Sequence, residues 1–303
     1  MYIPETLSSN PKWAKWIERL PDIVAACAKR WDLCIEDPMT EEYAEMSYSY
    51  IAPATDAKGT EVVLKIGSPV QLAENWQQEC HALQLCNGDG TVKLLDFDKA
   101  LGVLMLERIR PGVPLGVCPD DEENTRIAAR LMKKFWQPVP KIHSFRPTAY
   151  EIDGFDKLRK KYNGGTGPLP EKWVVRAETL YDELMSTSTE TVVLHGDLHH
   201  WNILSSEREP YLVIDPKGYF GDPGYEVGAF LANYPDASCE GCDRGEIDVR
   251  RVEIMAEELD IPRERIIKWG LVLALIWARW SADTPEEFWR TDISRAQALE
   301  QLL

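Results

Sequence analysis

Two short apolar arms, Ile203-Leu204 and Leu212-Val213-Ile214, flank the polar, Pro-ended connector Ser205-Ser206-Glu207-Arg208-Glu209-Pro210, and no other stretch constrains the fold as strongly. The pattern predicts a β-hairpin. Closing it brings Asn202, just before the first arm, and Asp215, just after the second, to one end, with Asp197 in the loop immediately upstream. This cluster offers only hard oxygen ligands, which suit Mg²⁺ held partly by protein and partly by phosphate. Asp197 is then available to accept a proton from an attacking hydroxyl. Asp, Asn and His are also common in loops and N-caps, so a purely structural reading competes with the catalytic one.

A second half of the site is expected upstream. Glu61-Val62-Val63-Leu64-Lys65-Ile66-Gly67 reads as a strand, with Val62, Leu64 and Ile66 on one face and Val63 and Lys65 on the other. From Ala73 to Cys86, Trp76, Cys80, Leu83 and Cys86 recur at helical spacing. Glu79 lies beside that stripe, where a carboxylate is costly unless paired. Lys65 is its natural partner, and Glu74, one position off the stripe, is the alternative carboxylate. Leu101 to Leu106 is another apolar strand, with the turn-rich exit Glu107-Arg108-Ile109-Arg110-Pro111-Gly112.

The segments HGDLHHWN at 195–202 and IDPKGYFGDPGYEVGAFLAN at 214–233, together with Lys65 and Glu79, resemble the aminoglycoside phosphotransferase family, whose fold is that of the eukaryotic-like protein kinases. The text at 214–233 is most similar to the streptomycin and hydroxyurea phosphotransferase branch, and the resemblance reaches, more thinly, back to about Tyr48. It implies an α+β, two-lobed fold: a small antiparallel-sheet N-lobe over residues 1–109 and a larger, mostly helical C-lobe over 110–303. It further implies transfer of the γ-phosphoryl group of ATP, or of GTP, to a hydroxyl of an aminoglycoside such as streptomycin, with antibiotic resistance as the setting. Asp197 would be the base, and Asn202 and Asp215 the Mg²⁺ ligands. Lys65, braced by Glu79, would hold the α- and β-phosphates. Ser47, Tyr48 and Ser49 would cover the phosphates, while Met105 and the backbone near Glu107 and Ile109 would meet the nucleobase.

The chain departs from protein kinases in ways that favour a small-molecule acceptor. No GxGxxG precedes Lys65, Gly196 replaces the Arg of HRD, and Pro216-Lys217 follows Asp215 in place of Phe-Gly. Kinases of sugars and amino alcohols, and inactive kinase-like binding proteins, share the fold and are the rival readings. Lys217 is expected to reach a phosphate or the product. Asp222, before Pro223, is either an N-cap or a substrate contact. Glu286 and Glu287 either serve a helix dipole or line an acidic pocket. Glu226 is expected to brace the catalytic loop from below, as the family pattern implies. His199 and His200 are read as loop-bracing hydrogen-bond groups, and Trp201 as a packing residue.

Bulk properties narrow the partners. The net charge of −16, from 50 acidic and 34 basic side chains, argues against nucleic acid and favours a cationic acceptor. Seven cysteines do not suggest a disulfide framework, and Cys239-Glu240-Gly241-Cys242 has no second pair or His cluster to complete a zinc site. The start lacks the basic and apolar regions of a signal peptide, and Leu271 to Ala278 is far short of the ~20 residues that span a bilayer. A cytoplasmic protein with no membrane partner is the expectation. Beyond Pro235, helical segments are predicted near 247–259, 262–280 and 285–302.

Overall fold

The computed structural model describes residues 2–36, 48–232 and 244–303. Helices α1 (Glu5–Ser8) and α2 (Ala14–Trp31) come first. In α2, Trp16, Leu20, Ile23 and Cys27 follow one stripe and are buried, and Asp32, at φ 51°, ends the helix in the left-handed region. That stripe covers one face of an antiparallel sheet of five strands: β1 (Leu33–Ile35), β2 (Ser49–Asp56), β3 (Glu61–Gly67), β4 (Leu94–Asp98) and β5 (Val103–Glu107). Their order is β1-β2-β3-β5-β4. Val62, Leu64 and Ile66 of β3 face α2, so strand alternation turns Lys65 to the opposite side, toward the cleft. Trp31 Nε1 to Asp96 at 2.7 Å and Arg30 to Asp98 at 2.8 Å tie the helix to β4.

Between β3 and β4 the expected single helix is two, α3 (Pro69–Glu74) and α4 (Trp76–Cys86), broken at Asn75. Ser68 and Gln71 form a capping box on α3, a start signal upstream of the periodic stripe. Trp76, Cys80 and Leu83 pack with Leu104 and Leu106 of β5 in a core of their own.

The rest of the chain builds the larger core. Strand β6 (Pro111–Pro114) is followed by α5 (Asp121–Phe135), β7 (Gln137–Pro138), β8 (Arg146–Pro147), α6 (Ala149–Lys161), α7 (Glu171–Ser186) and β9 (Val192–Leu194). Next come β10 (Ile203–Ser206), β11 (Tyr211–Val213), β12 (Tyr219–Gly221), α8 (Gly224–Ala232), α9 (Arg244–Leu259), α10 (Arg263–Trp280) and α11 (Glu286–Glu300). The hairpin forms in the expected register, Ile203 opposite Val213, with β6 added on the other side of β10. Strands β7, β9, β12 and β8 form a third small sheet. The apolar run Leu271 to Ala278 is the buried centre of α10, against α7, α8 and α11. Among the described residues no helix is long and apolar enough to cross a membrane. Five described cysteines are free thiols, and Cys239 and Cys242 lie outside the described residues.

Candidate active site

The loop that carries Asp197 leaves β9 at Leu194 and is held from beneath. Glu226, at the start of α8 and fully buried, accepts the N–H of His195 at 2.6 Å and of Gly196 at 3.1 Å. Gly196 has φ 84°, and a Cβ there would stand 2.2 Å from the Tyr219 ring, so only glycine fits. His195 Nε2 bonds the Ile214 carbonyl at 2.8 Å while Nδ1 accepts the Asp197 N–H at 3.3 Å. Those partners assign a neutral imidazole, and burial drives its pKa down to about 4. The ring thus joins the loop of Asp197 to the strand end that carries Asp215.

Asp215 has φ 61°, a left-handed conformation that a non-glycine residue adopts at some energetic cost and that is common at functional sites. Its carboxylate pairs with Lys65 through one oxygen, and Lys217 Nζ lies 3.7 Å from the other. Lys65 bonds Glu79 at 2.6 Å, and both are buried. Lys217 Nζ is also 3.5 Å from Asp197. The charges therefore alternate across the cleft: Glu79, Lys65, Asp215, Lys217, Asp197. Burial opposes the charge on Asp215, but Lys217 and Lys65 outweigh it and hold the carboxyl far below the usual range. Burial also opposes the charge on Lys217, and Asp215 and Asp197 reverse that, raising its pKa well above that of a free lysine. Mutual pairing holds Lys65, Asp215 and Lys217 in their charged forms.

Asn202 Nδ2 donates to the Asp197 carbonyl at 3.0 Å and contacts His199 Nε2 at 3.2 Å, which leaves its oxygen as the end available to a cation. Ile214 N–H bonds the Asn202 carbonyl at 2.9 Å, so the hairpin holds the two oxygen donors side by side. Among the described residues no three His, Cys, Asp or Glu side chains converge as a closed metal site. Two protein oxygens with room for others fit a hard cation shared with phosphate.

A cavity of about 360 Å³ opens at Asp197 and Lys217. Arg146, Tyr150, Glu151, Arg279 and Trp280 line it, residues that the sequence reading did not single out. Glu151 is buried and takes bonds from Tyr219 Oη at 2.5 Å, Arg279 at 2.8 Å and Trp280 Nε1 at 3.0 Å. It shares a helical stripe with Phe155 and Leu158, the same signal that exposed Glu79.

Several expected contacts lie elsewhere. Asp222 is buried, caps α8 through Gly224 N–H at 2.9 Å, and bonds Trp269 Nε1 at 3.0 Å and Arg265 at 2.5 Å. It borders a separate cavity of about 290 Å³, so its N-cap reading is the one realised. Glu286 and Glu287 sit in the exposed first turn of α11 and do not line the Asp197 cavity; Glu286 pairs with Arg290. The buried Ser49 hydroxyl bonds Gln71. Tyr48 is exposed and meets Trp13 edge-on, and Ser47 lies outside the described residues. Glu107 engages its N–H with Lys93 and its carboxylate with Arg208, whereas among the described residues the Ile109 N–H makes none of the loop hydrogen bonds. Met105 is half-buried in β5. His199 does brace the loop, accepting the Trp201 N–H at 3.3 Å. His200 does not: it stacks on Phe230, and among the described residues neither ring nitrogen has a hydrogen-bond partner. Trp201 packs over Gly116.

A model of the family described as aminoglycoside/hydroxyurea antibiotic resistance kinase matches residues 37–284. The chain belongs to this family. It is 29% identical to streptomycin 6-kinase of Streptomyces griseus over 91% of this chain and 87% of that one. It is 28% identical to hydroxyurea phosphotransferase of Kitasatospora aureofaciens, over 90% and 76%. Choline kinase LicA from Streptococcus pneumoniae superposes with a TM-score of 0.64 at 15% identity, over 93% of this chain and 97% of that one. Aminoglycoside phosphotransferase APH(4)-Ia, solved with ADP and hygromycin B, gives 0.63 at 18% identity, over 91% and 97%. The fold is thus the two-lobed, protein-kinase-like one, and the protein is a phosphotransferase with a small-molecule hydroxyl acceptor.

Proposed function

We propose that the protein transfers the γ-phosphoryl group of ATP to a hydroxyl of an aminoglycoside of the streptomycin type. Asp197 is the base, and Asn202 and Asp215 are the ligands of Mg²⁺. The observation that carries the reading is the alternating charge array ending on a cavity at Asp197. On this reading residues 1–109 bind the nucleotide, with Lys65 on the phosphates and Met105 and the Ile109 N–H at the base edge. Residues 110–303 supply the acceptor site. Bound Mg²⁺ would neutralise phosphate charge. Asp197 orients the acceptor hydroxyl and takes its proton as the oxygen attacks. Neutral His195 and the buried Glu226 keep that carboxylate in place. Positioning and charge neutralisation account for most of the rate, since little covalent work falls to protein groups.

A positively charged acceptor is supported by the net charge of −16 and by the names of the relatives. The cavity wall itself mixes acids and bases, so Asp197 and Glu74 are the carboxylates offered to it, Glu151 being engaged with Arg279. The dependence on a nucleoside triphosphate favours a cytoplasmic setting. The test is a nucleotide-consumption screen over aminoglycosides, sugars and amino alcohols, with mass spectrometry of the products. A streptomycin-class product 80 Da heavier (about the mass of one phosphoryl group) is expected. Phosphorylation confined to uncharged sugars would overturn the acceptor assignment.

A further inference from the structure

Lys65 has both of its carboxylate partners on the nucleotide side of the cleft, Glu79 and Asp215. Lys217 does not: it stands between Asp215 and Asp197, 3.7 and 3.5 Å away, and its side chain forms part of the cavity wall. The other basic group within 4 Å of the Asp197 carboxylate among the described residues is His199, at 3.8 Å, and it is buried and accepts the Trp201 N–H. Lys217 is thus the permanent cation at the point where a phosphoryl group would pass from nucleotide to acceptor. Its backbone is fixed for the purpose. Its N–H bonds the His195 carbonyl at 2.7 Å, joined by the Gly218 N–H at 3.2 Å. Gly218, at φ 66°, lies so close to α4 that a Cβ would stand 2.8 Å from the Gln78 carbonyl. The turn is clamped between the catalytic loop and the helix of Glu79.

We propose that Lys217 is a catalytic residue that stabilises the phosphoryl group in transit, a role that rests on the phosphotransferase reading of this site. In the step, the acceptor oxygen bonds to the γ-phosphorus as the bond from that phosphorus to the β–γ bridging oxygen breaks. The bridging oxygen leaves with the electron pair on the nucleoside diphosphate, and the acceptor proton passes to Asp197. Lys217 stays protonated and faces the non-bridging oxygens, whose charge is shared between donor and acceptor at that moment. Before the nucleotide binds, the same ammonium stands between the Asp197 and Asp215 carboxylates.

The test compares Lys217→Met and Lys217→Arg with wild type in kcat, in affinity for Mg·ADP, and in affinity for Mg·ADP plus aluminium fluoride, a mimic of the phosphoryl group in transit. Lys217→Met is expected to lower kcat by roughly 10²–10³-fold and to lose most of the fluoride-dependent gain in affinity. Its Mg·ADP affinity should stay within about threefold of wild type, which also reports that the variant folds. Lys217→Arg, which keeps the charge, should recover at least about tenfold of the lost rate. Equal losses for Mg·ADP and for the fluoride complex would mean ground-state binding and overturn the proposal. So would a kcat for Lys217→Met within about threefold of wild type, or no fluoride-dependent gain in the wild type. The fluoride measurement needs no acceptor. A wild type that shows the gain but phosphorylates none of the screened compounds would therefore unseat the acceptor assignment and leave Lys217 standing.

Discussion

Glu226→Ala is expected to disable the catalytic loop without touching a group that meets substrate. The carboxylate is fully buried and accepts the N–H groups of His195, Gly196 and Leu198. Truncation leaves three donors without an acceptor, and His195 and Leu198 are themselves fully buried. An orphaned buried donor costs about 1–3 kcal/mol, so the gross loss over three donors is about 3–9 kcal/mol. Two effects reduce it. Burial pushes the Glu226 carboxyl up to about 7, so its ionised form carries a desolvation cost of up to about 3 kcal/mol that alanine removes. The polar void also admits water, which re-bonds part of the donors. A net loss of about 2–4 kcal/mol remains, read in urea as a lower midpoint at unchanged slope. Turnover falls further, because a displacement of Asp197 by ~1 Å costs roughly 10²-fold. Nucleotide affinity persists, since β3 and α4 hold Lys65 and Glu79. Glu226→Gln is the deciding control. It keeps the shape, but its NH₂ must face an N–H donor, so it should recover less than half the lost stability. A Gln variant within about 0.5 kcal/mol of wild type would show that volume holds the loop, and the reasoning would be refuted.

Asp197→Ala should lower turnover by about 10²–10⁴-fold while Mg·nucleotide affinity is kept, and more than about a tenth of wild-type turnover would refute the base assignment. Asp215→Asn should weaken Mg·nucleotide binding and turnover together, since it removes charge from both the cation site and Lys65; titrations with and without Mg²⁺ that match wild type would sink it. His195, buried neutral with a pKa of about 4, lies below the ~6.5 of an unfolded chain. Its contribution is therefore present above pH ~6.5 and is lost as the pH falls through about 4. His195→Gln should flatten the stability–pH slope in that window by up to about 1.4 kcal/mol per unit, and equal slopes for the two proteins would exclude the assignment.

What could be read in the sequence was what local physics decides. The hairpin was legible because its arms and connector differ sharply in polarity, and its register follows from closing a short loop. The Lys65–Glu79 pair was legible because a carboxylate beside an apolar stripe needs a partner. Glu151 carried the same signal, but its donors Tyr219, Arg279 and Trp280 come from distant elements, and no local pattern names them. The break at Asn75 was missed because the apolar stripe of α4 begins only at Trp76, and Ser68-Pro69, the start of a separate helix, lies outside it. The alternatives left open at Asp222, and the bracing role expected of His200, turn on the same thing. A polar residue beside a motif reads as functional until the tertiary neighbours, Arg265 and Trp269 for one and Phe230 for the other, are known.

The charge of the whole chain and the charge of the cavity point in different directions, and the difference predicts an order of binding. Of the charged residues lining the cavity, Arg146, Lys157, Lys217 and Arg279 are basic and Glu74, Glu151 and Asp197 acidic. A cationic acceptor entering the empty protein therefore meets little net attraction at close range, and the surface charge of −16 acts on it mostly through screened solvent. Binding of a triphosphate changes this. On the proposed reading Lys65 turns its charge onto phosphate, and the nucleotide adds net negative charge beside Asp197. At separations on the order of 8 Å, each unit of that charge attracts a cation by about 0.5–2 kcal/mol for effective dielectric constants of ~80 to ~20. The acceptor should then bind several-fold tighter, roughly 3–30-fold, once Mg·nucleotide is in place. Calorimetric titration of streptomycin with and without a non-hydrolysable Mg·ATP analogue measures the coupling. By linkage the analogue must gain the same factor from streptomycin, which checks the result internally. Equal streptomycin affinity in the two titrations would mean that the acceptor is captured by contacts independent of the nucleotide's charge.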